Sequence, residues 1–177
     1  KAVSRRRIFF AAMAALLLAF VVGILLYKGS QTSAAQQKAA SHLGLLASDH
    51  SPTLGKADAK VHIVEFLDPA CETCAVFYPH IKRLLASNPD TLRLAVRHVP
   101  FHKGSDQVVR ILEAARNQGK YWQALEALLA NQASCTQNHA AKPEMVLKSL
   151  EGVGLNLEQI MIDMTAPEIA QRIEQWS

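Results

Sequence analysis

The apolar positions of this chain fall into distinct patterns, and each predicts a different element. From Ile8 to Tyr27 the residues carry no charge, no Pro and a single Gly. At a rise of about 1.5 Å per residue, a helix of that length crosses a bilayer. Residues 28 to 50 are polar and rich in Ala, Gln and Ser, apart from Leu43, Leu45 and Leu46, and read as a tether with one amphipathic turn. Ser51-Pro52 and Leu54-Gly55 read as a loop leading into the first strand. That strand is the near-continuous apolar run Val61 to Leu67, whose pattern predicts burial on both faces. Beyond it Phe77, Ile81, Leu84 and Leu85 recur at helical spacing, with Pro79 inside predicted to kink the helix and Asn88-Pro89-Asp90 ending it. Leu92, Leu94 and Val96 then alternate with Arg93, Ala95 and Arg97 up to Pro100, which predicts a second strand. Strand, helix and strand predict a right-handed βαβ unit and an α/β fold.

After Val99 every periodic stretch is helical. Val108, Ile111, Leu112 and Ala115 mark one helix, stopped by Gly119, and Tyr121, Trp122, Leu125, Leu128 and Leu129 mark the next. Pro143, at a first-turn position, starts a third that ends near Gly152. Asn156 with Gln159, and Thr165 with Glu168, have capping-box spacing and predict two more short helices.

Charge changes the picture at the N-terminus. The formal net charge of +4 comes from Lys1, Arg5, Arg6 and Arg7, and from residue 28 onward Lys plus Arg balance Asp plus Glu. A neutral domain without a basic stripe argues against a nucleic-acid partner. The arginines stay on the cytoplasmic side of the apolar run, so the domain that follows is expected to be exported. The run is long for a signal-peptide core, and residues 1–27 are read as an uncleaved signal anchor, with Thr32-Ser33-Ala34-Ala35 as the alternative cleavage site. The expected place is the bacterial inner membrane, with residues 51–177 facing the periplasm or extracytoplasmic space.

Export bears on the cysteines, because a Cys-x-x-Cys pair outside the cytoplasm is free to cycle through a disulfide. Cys71 and Cys74 stand where the first strand gives way to the helix. A helix starting near Cys71 places both thiols on one face and sets Cys71 among unsatisfied backbone N–H groups that favour a thiolate. Cys74, one turn inward, is the natural resolving thiol. Haem attachment needs His after the second Cys, and here Ala75 follows. Zinc needs two more ligands, and His98 with His102 lie too far along the chain, without a second Cys-x-x-Cys. No metal or cofactor is therefore expected, and His62, His80, His98, His102 and His139 are read as ordinary loop or surface residues. Cys135 has polar neighbours from Gln132 to Asn138 and is expected to be exposed, either unpaired or bonded to a substrate or a cysteine elsewhere.

Several motifs together resemble one family: Leu54-Gly55, Val64 to Asp68, Cys71-x-x-Cys74, Arg97-His98-Val99-Pro100-Phe101 and Gly119-Lys120-Tyr121-Trp122. From about Thr53 to its end the chain resembles the DsbA-like branch of the thioredoxin superfamily. The resemblance implies a thioredoxin-like fold with a helical insertion at about 104–175, and thiol–disulfide exchange with exported proteins. It implies Cys71 as nucleophile, Cys74 as resolving cysteine and Glu65 as the acid beneath them. A carboxylate on a buried strand should have a raised pKa, suiting it to exchange a proton with Cys74, whereas one at a strand edge would pair with Lys60 or meet solvent. Strong oxidants of the family often carry His between the cysteines, so Glu72 and Thr73 are the expected redox-tuning positions. The family continues past the insertion into a cis-proline loop and further strands. This chain is accordingly expected to be a partial domain with its C-terminal strands missing and a two-stranded sheet. The expected function is a membrane-tethered oxidase served by a quinone-linked membrane partner. The alternative is a tethered binding module or a Cys-x-x-Cys chaperone for Cu(I).

Overall fold

The computed structural model describes residues 2–46 and 50–175. The chain divides into two compact units, Lys1–Leu45 and Leu46–Ser177. The first is formed by α1 (Ala2–Leu46) as far as Leu45, and its apolar stretch Phe9–Ser30 is long and apolar enough to cross a membrane. The region read as a tether is helical up to Leu46, a correction explained by its composition: Ala, Gln, Lys and Leu are good helix formers, and no Pro interrupts them.

In the second unit β1 (Thr53–Gly55), β2 (Val61–Leu67) and β3 (Leu92–His98) form a sheet of order β1-β3-β2. β2 and β3 are parallel, in register from Val61 opposite Leu92 to Leu67 opposite His98, and β1 runs antiparallel to β3 from Thr53 opposite Ala95. The expected two-stranded sheet thus has a third strand, in the stretch read as a loop. Three residues are too few to show alternation, and the strand ends at Gly55, whose φ is +106° and where a Cβ would stand 2.6 Å from the Leu92 carbonyl oxygen.

Burial corrects the reading of the strands as well. β3 is central and holds the fully buried Leu94 and Val96, whereas β2 is an edge strand on which Val61 and Phe66 are about half exposed. Among the described residues nothing pairs with the outer edge of β2. The apolar run predicted the strand correctly, but its neighbours, not its composition, decide how much of it is covered.

Between the parallel strands lies α2 (Glu72–Ser87), which continues through Pro79 and buries Tyr78, Ile81 and Leu85. Phe77 and Leu84 face outward. The helical part comprises α3 (Ser105–Asn117), α4 (Tyr121–Ala130), α5 (Gln132–Cys135), α6 (Pro143–Ser149), α7 (Leu157–Asp163) and α8 (Pro167–Glu174), with a small hairpin of β4 (Thr136–Gln137) and β5 (Ala140–Ala141) between α5 and α6. Its core is the stripe Val108, Ile111, Leu112 and Ala115 of α3, packed with Leu125 and Leu128 of α4. The Asn156 side chain caps α7 by accepting from the Gln159 N–H at 3.0 Å. Thr165 does not cap α8: its hydroxyl donates to the Ile162 carbonyl, and Ala166 precedes Pro167 at the helix start. Buried Glu113 of α3 pairs with Arg172 of α8 at 2.8 Å, which ties the last helix to the core.

Candidate functional site

The site is built where β2 ends. Asp68, Pro69 and Ala70 turn the chain, the Cys71 N–H donates to the Asp68 carbonyl at 3.1 Å, and α2 begins at Glu72 with Cys71 as its N-cap residue. The Cys71 sulfur makes no capping hydrogen bond, so it lies at the open N–H end of the helix without being consumed by it. Gln132 of α5 fixes this turn from the other side, donating to the carbonyls of Pro69 at 3.0 Å and Cys71 at 2.9 Å.

Cys74 follows one turn inward. Both cysteines are half-buried and both thiols are free. Burial pushes the Cys74 thiol up to about 11, and the adjacent Cys71 and Glu65 add to the effect. Glu65 lies on β2, where burial pushes its carboxyl up to about 7. Its Oε2 has no hydrogen-bond partner among the described residues. Glu65 is therefore an acid that can be protonated or ionised at neutral pH and acts electrostatically on Cys74.

Asp68 has the opposite environment. It is 3% exposed, and its two oxygens accept five hydrogen bonds. Oδ1 takes the Ala70 N–H at 2.8 Å and the Ser105 hydroxyl at 2.5 Å. Oδ2 takes the Phe101 N–H at 2.8 Å, the His102 N–H at 2.9 Å and His102 Nδ1 at 2.6 Å. Burial acts to raise its pKa, but the bonds from Ser105, Ala70 and His102 prevail and hold the carboxyl below its usual range. Asp68 thereby locks the loop after β3 and the start of α3 to the turn that carries Cys71.

Two histidines read as loop-edge residues belong to the interior of this region. His98 is 3% exposed, and burial pulls it down to about 4. The ring is neutral, donating through Nδ1 to the Leu67 carbonyl at 3.3 Å and accepting at Nε2 from the Tyr121 hydroxyl at 2.7 Å. His102 is held by Asp68 and stacks on His139 of the β4–β5 turn, with ring centroids 5.1 Å apart. His139 in turn pairs through Nδ1 with the Glu72 carboxylate. Thr73 is exposed beside them.

Cys135 does not fit its expectation of exposure. It is buried at the end of α5, and its thiol donates to the Met145 carbonyl at 3.4 Å. Polar sequence neighbours say nothing about α6, which covers it. Asp68, Gln132, Ser105 and His139 were not singled out as site residues. The available signal for Asp68 was a charge placed directly after an apolar strand with no cation beside it.

The thioredoxin family model matches residues 47–169 of the chain. A solved thioredoxin-like oxidoreductase from Silicibacter pomeroyi DSS-3 is 34% identical, with a TM-score of 0.62 over 72% of this chain and 70% of that one. The thiol-disulfide exchange protein alpha-DsbA2 from Wolbachia pipientis shares the fold at 19% identity, with a TM-score of 0.64 over 83% of this chain and 75% of that one. Among curated proteins, the Na(+)/H(+) antiporter NhaA of Herminiimonas arsenicoxydans is 32% identical over 120 residues, which are 68% of this chain and 18% of the antiporter. The chain thus spans less than a fifth of the length of the curated relatives it matches. With a cysteine pair at the strand-to-helix junction of a thioredoxin-like α/β domain, the chain belongs to the thioredoxin family.

Proposed function

We propose that this chain is a membrane-tethered oxidoreductase that introduces disulfides into exported proteins through Cys71 and Cys74. The observation that carries the reading is the inequality of the two thiols: Cys71 caps α2 at its N–H end, while the Cys74 thiol is pushed up to about 11 and lies beside an acid at about 7. In the oxidised protein a client thiolate attacks the Cys71 sulfur and breaks the Cys71–Cys74 bond. A mixed disulfide forms, and the Cys74 thiolate leaves. A high thiol pKa makes that thiolate a strong base, and protonated Glu65 supplies its proton. A second client thiolate then attacks the client sulfur of the mixed disulfide and expels Cys71 as thiolate. The client gains a disulfide, and the pair gains the two electrons. A quinone-linked membrane partner takes those electrons back and restores the Cys71–Cys74 disulfide. The helix Phe9–Ser30 is the tether, and the domain faces the periplasm.

The test is disulfide transfer from the oxidised full chain, in bilayer vesicles, to a reduced unfolded client. Cys71→Ser should abolish transfer, and Cys74→Ser, pre-loaded as a mixed disulfide with a small thiol at Cys71, should still engage the client. Transfer that survives Cys71→Ser would overturn the assignment.

A further inference from the structure

Glu72 directly follows Cys71 in the chain and is the first residue of α2. Left alone, a carboxylate there would oppose a thiolate. The carboxylate is not alone. His139 reaches it from the helical part of the fold, with its backbone N–H donating to Oε1 at 3.3 Å and its Nδ1 paired with Oε2. The Glu72 carboxyl is held below its usual range, first by its own backbone N–H at the helix start, against burial, which raises it, and with further lowering by His139.

The turn that delivers His139 is specifically shaped. Asn138 and His139 have φ of +50° and +57°, the left-handed region that side chains other than Gly seldom occupy. Such a conformation persists where the surroundings fix it. Here the hairpin is anchored by the Ala141 N–H donating to the Lys103 carbonyl at 2.9 Å and by close approach at Gly104, where a Cβ would stand 2.6 Å from the Ala141 carbonyl oxygen. On its other face the His139 ring stacks on His102, whose Nδ1 is held by Asp68. The hairpin turn is therefore clamped between Asp68, before Cys71, and Glu72, after it.

We propose that His139 is a positioning residue for the exchange reaction: it fixes the Glu72 carboxylate and, when protonated, supplies the cation that screens this charge from Cys71. The proposal rests on the reading of Cys71 as the attacked and attacking sulfur. The charged groups in play form one chain. Glu72 faces His139, His139 faces Glu72 and His102, His102 faces Asp68, and Cys71 faces Cys74 with Glu65 behind it. The partner of Glu72 is thus contributed from outside the Cys-x-x-Cys motif, where no reading of the residues between the cysteines would find it.

The test measures the rate at which iodoacetamide labels Cys71 in the reduced full chain as a function of pH, by peptide mass, for the unmodified protein, His139→Gln, Glu72→Gln and the double variant. His139→Gln should slow labelling of Cys71 about two- to fivefold near pH 6, the range expected for a partly exposed ion pair. With Glu72 already Gln, removing His139 should slow labelling clearly less than it does in the unmodified chain. An unchanged rate in His139→Gln, or equal slowing with and without Glu72, would overturn the proposal, the second result indicating a merely structural hairpin. Labelling of Cys74 in preference to Cys71 would instead count against the role given to Cys71. The comparison between the two backgrounds decides the screening by His139 whichever cysteine attacks.

Discussion

Glu65 and Asp68 lie three residues apart on the same run of chain, and both are withdrawn from water beside the cysteines, yet their carboxyls shift in opposite directions. Asp68 is the more buried of the two by exposure and still has the lower pKa, because five donors converge on it. Glu65 keeps an oxygen without a partner among the described residues and rises to about 7. The difference teaches that burial alone does not fix the role of an acid. Donors turn a buried carboxylate into a fastener, and their absence leaves one able to move a proton.

Breaking the fastener should have the largest effect. Asp68→Ala leaves the N–H groups of Ala70, Phe101 and His102 and the Ser105 hydroxyl without their acceptor, which should cost about 3–5 kcal/mol. Thermal unfolding should move down on the order of 10 °C. Because the native pKa of Asp68 lies below its unfolded value, its stabilisation is complete above the unfolded carboxylate range and is lost as pH falls through the native value. Asp68→Asn should accordingly remove part of the acid sensitivity seen in urea titrations.

Glu65→Gln should act with the opposite sign. Between its ordinary value of 4.5 and about 7, native Glu65 holds a proton that the unfolded chain has released, so stability declines as pH rises through that window. The variant should be more stable than the unmodified chain above pH 7 by roughly 1–2 kcal/mol, a figure reduced for partial solvent screening, and equally stable near pH 4. It should also slow release of Cys74 in disulfide transfer. Equal pH dependence of the two proteins would show that Glu65 ionises without penalty.

A smaller effect separates a satisfied imidazole from an unsatisfied one. Tyr121→Phe removes the hydroxyl that donates to His98 Nε2 and should cost about 1–2 kcal/mol. The loss should shrink in acid, where the freed ring can take up a proton in place of the lost bond. A cost that is the same at every pH would mean that His98 stays neutral without its partner.

The parts of the fold legible in the sequence are those with a period or a start signal: β2, α2, β3 and the helices α3, α4, α6, α7 and α8, but not the four-residue α5. β1 and the β4–β5 hairpin have three and two residues per strand, too short for alternation to register. Burial was less legible than element type, as the edge position of β2 and the covered Cys135 show. The cysteines stand out as candidates because their spacing and their place at the strand-to-helix junction are visible in the sequence, and Glu65 because the family resemblance marks its position. Asp68 and His139 could not, because their partners come from remote positions: Phe101, His102 and Ser105 for Asp68, and Glu72 for His139. Only folding brings them together.

The central claim is that Cys71 and Cys74 form a reversible redox pair. The most direct measurement equilibrates the full chain with reduced and oxidised glutathione at graded ratios, traps free thiols with an alkylating agent and locates each disulfide by peptide mass. The expected result is a single reversible two-electron transition confined to Cys71 and Cys74, with buried Cys135 alkylated only after unfolding. A pair that stays reduced at every ratio, or a disulfide that includes Cys135, would contradict it.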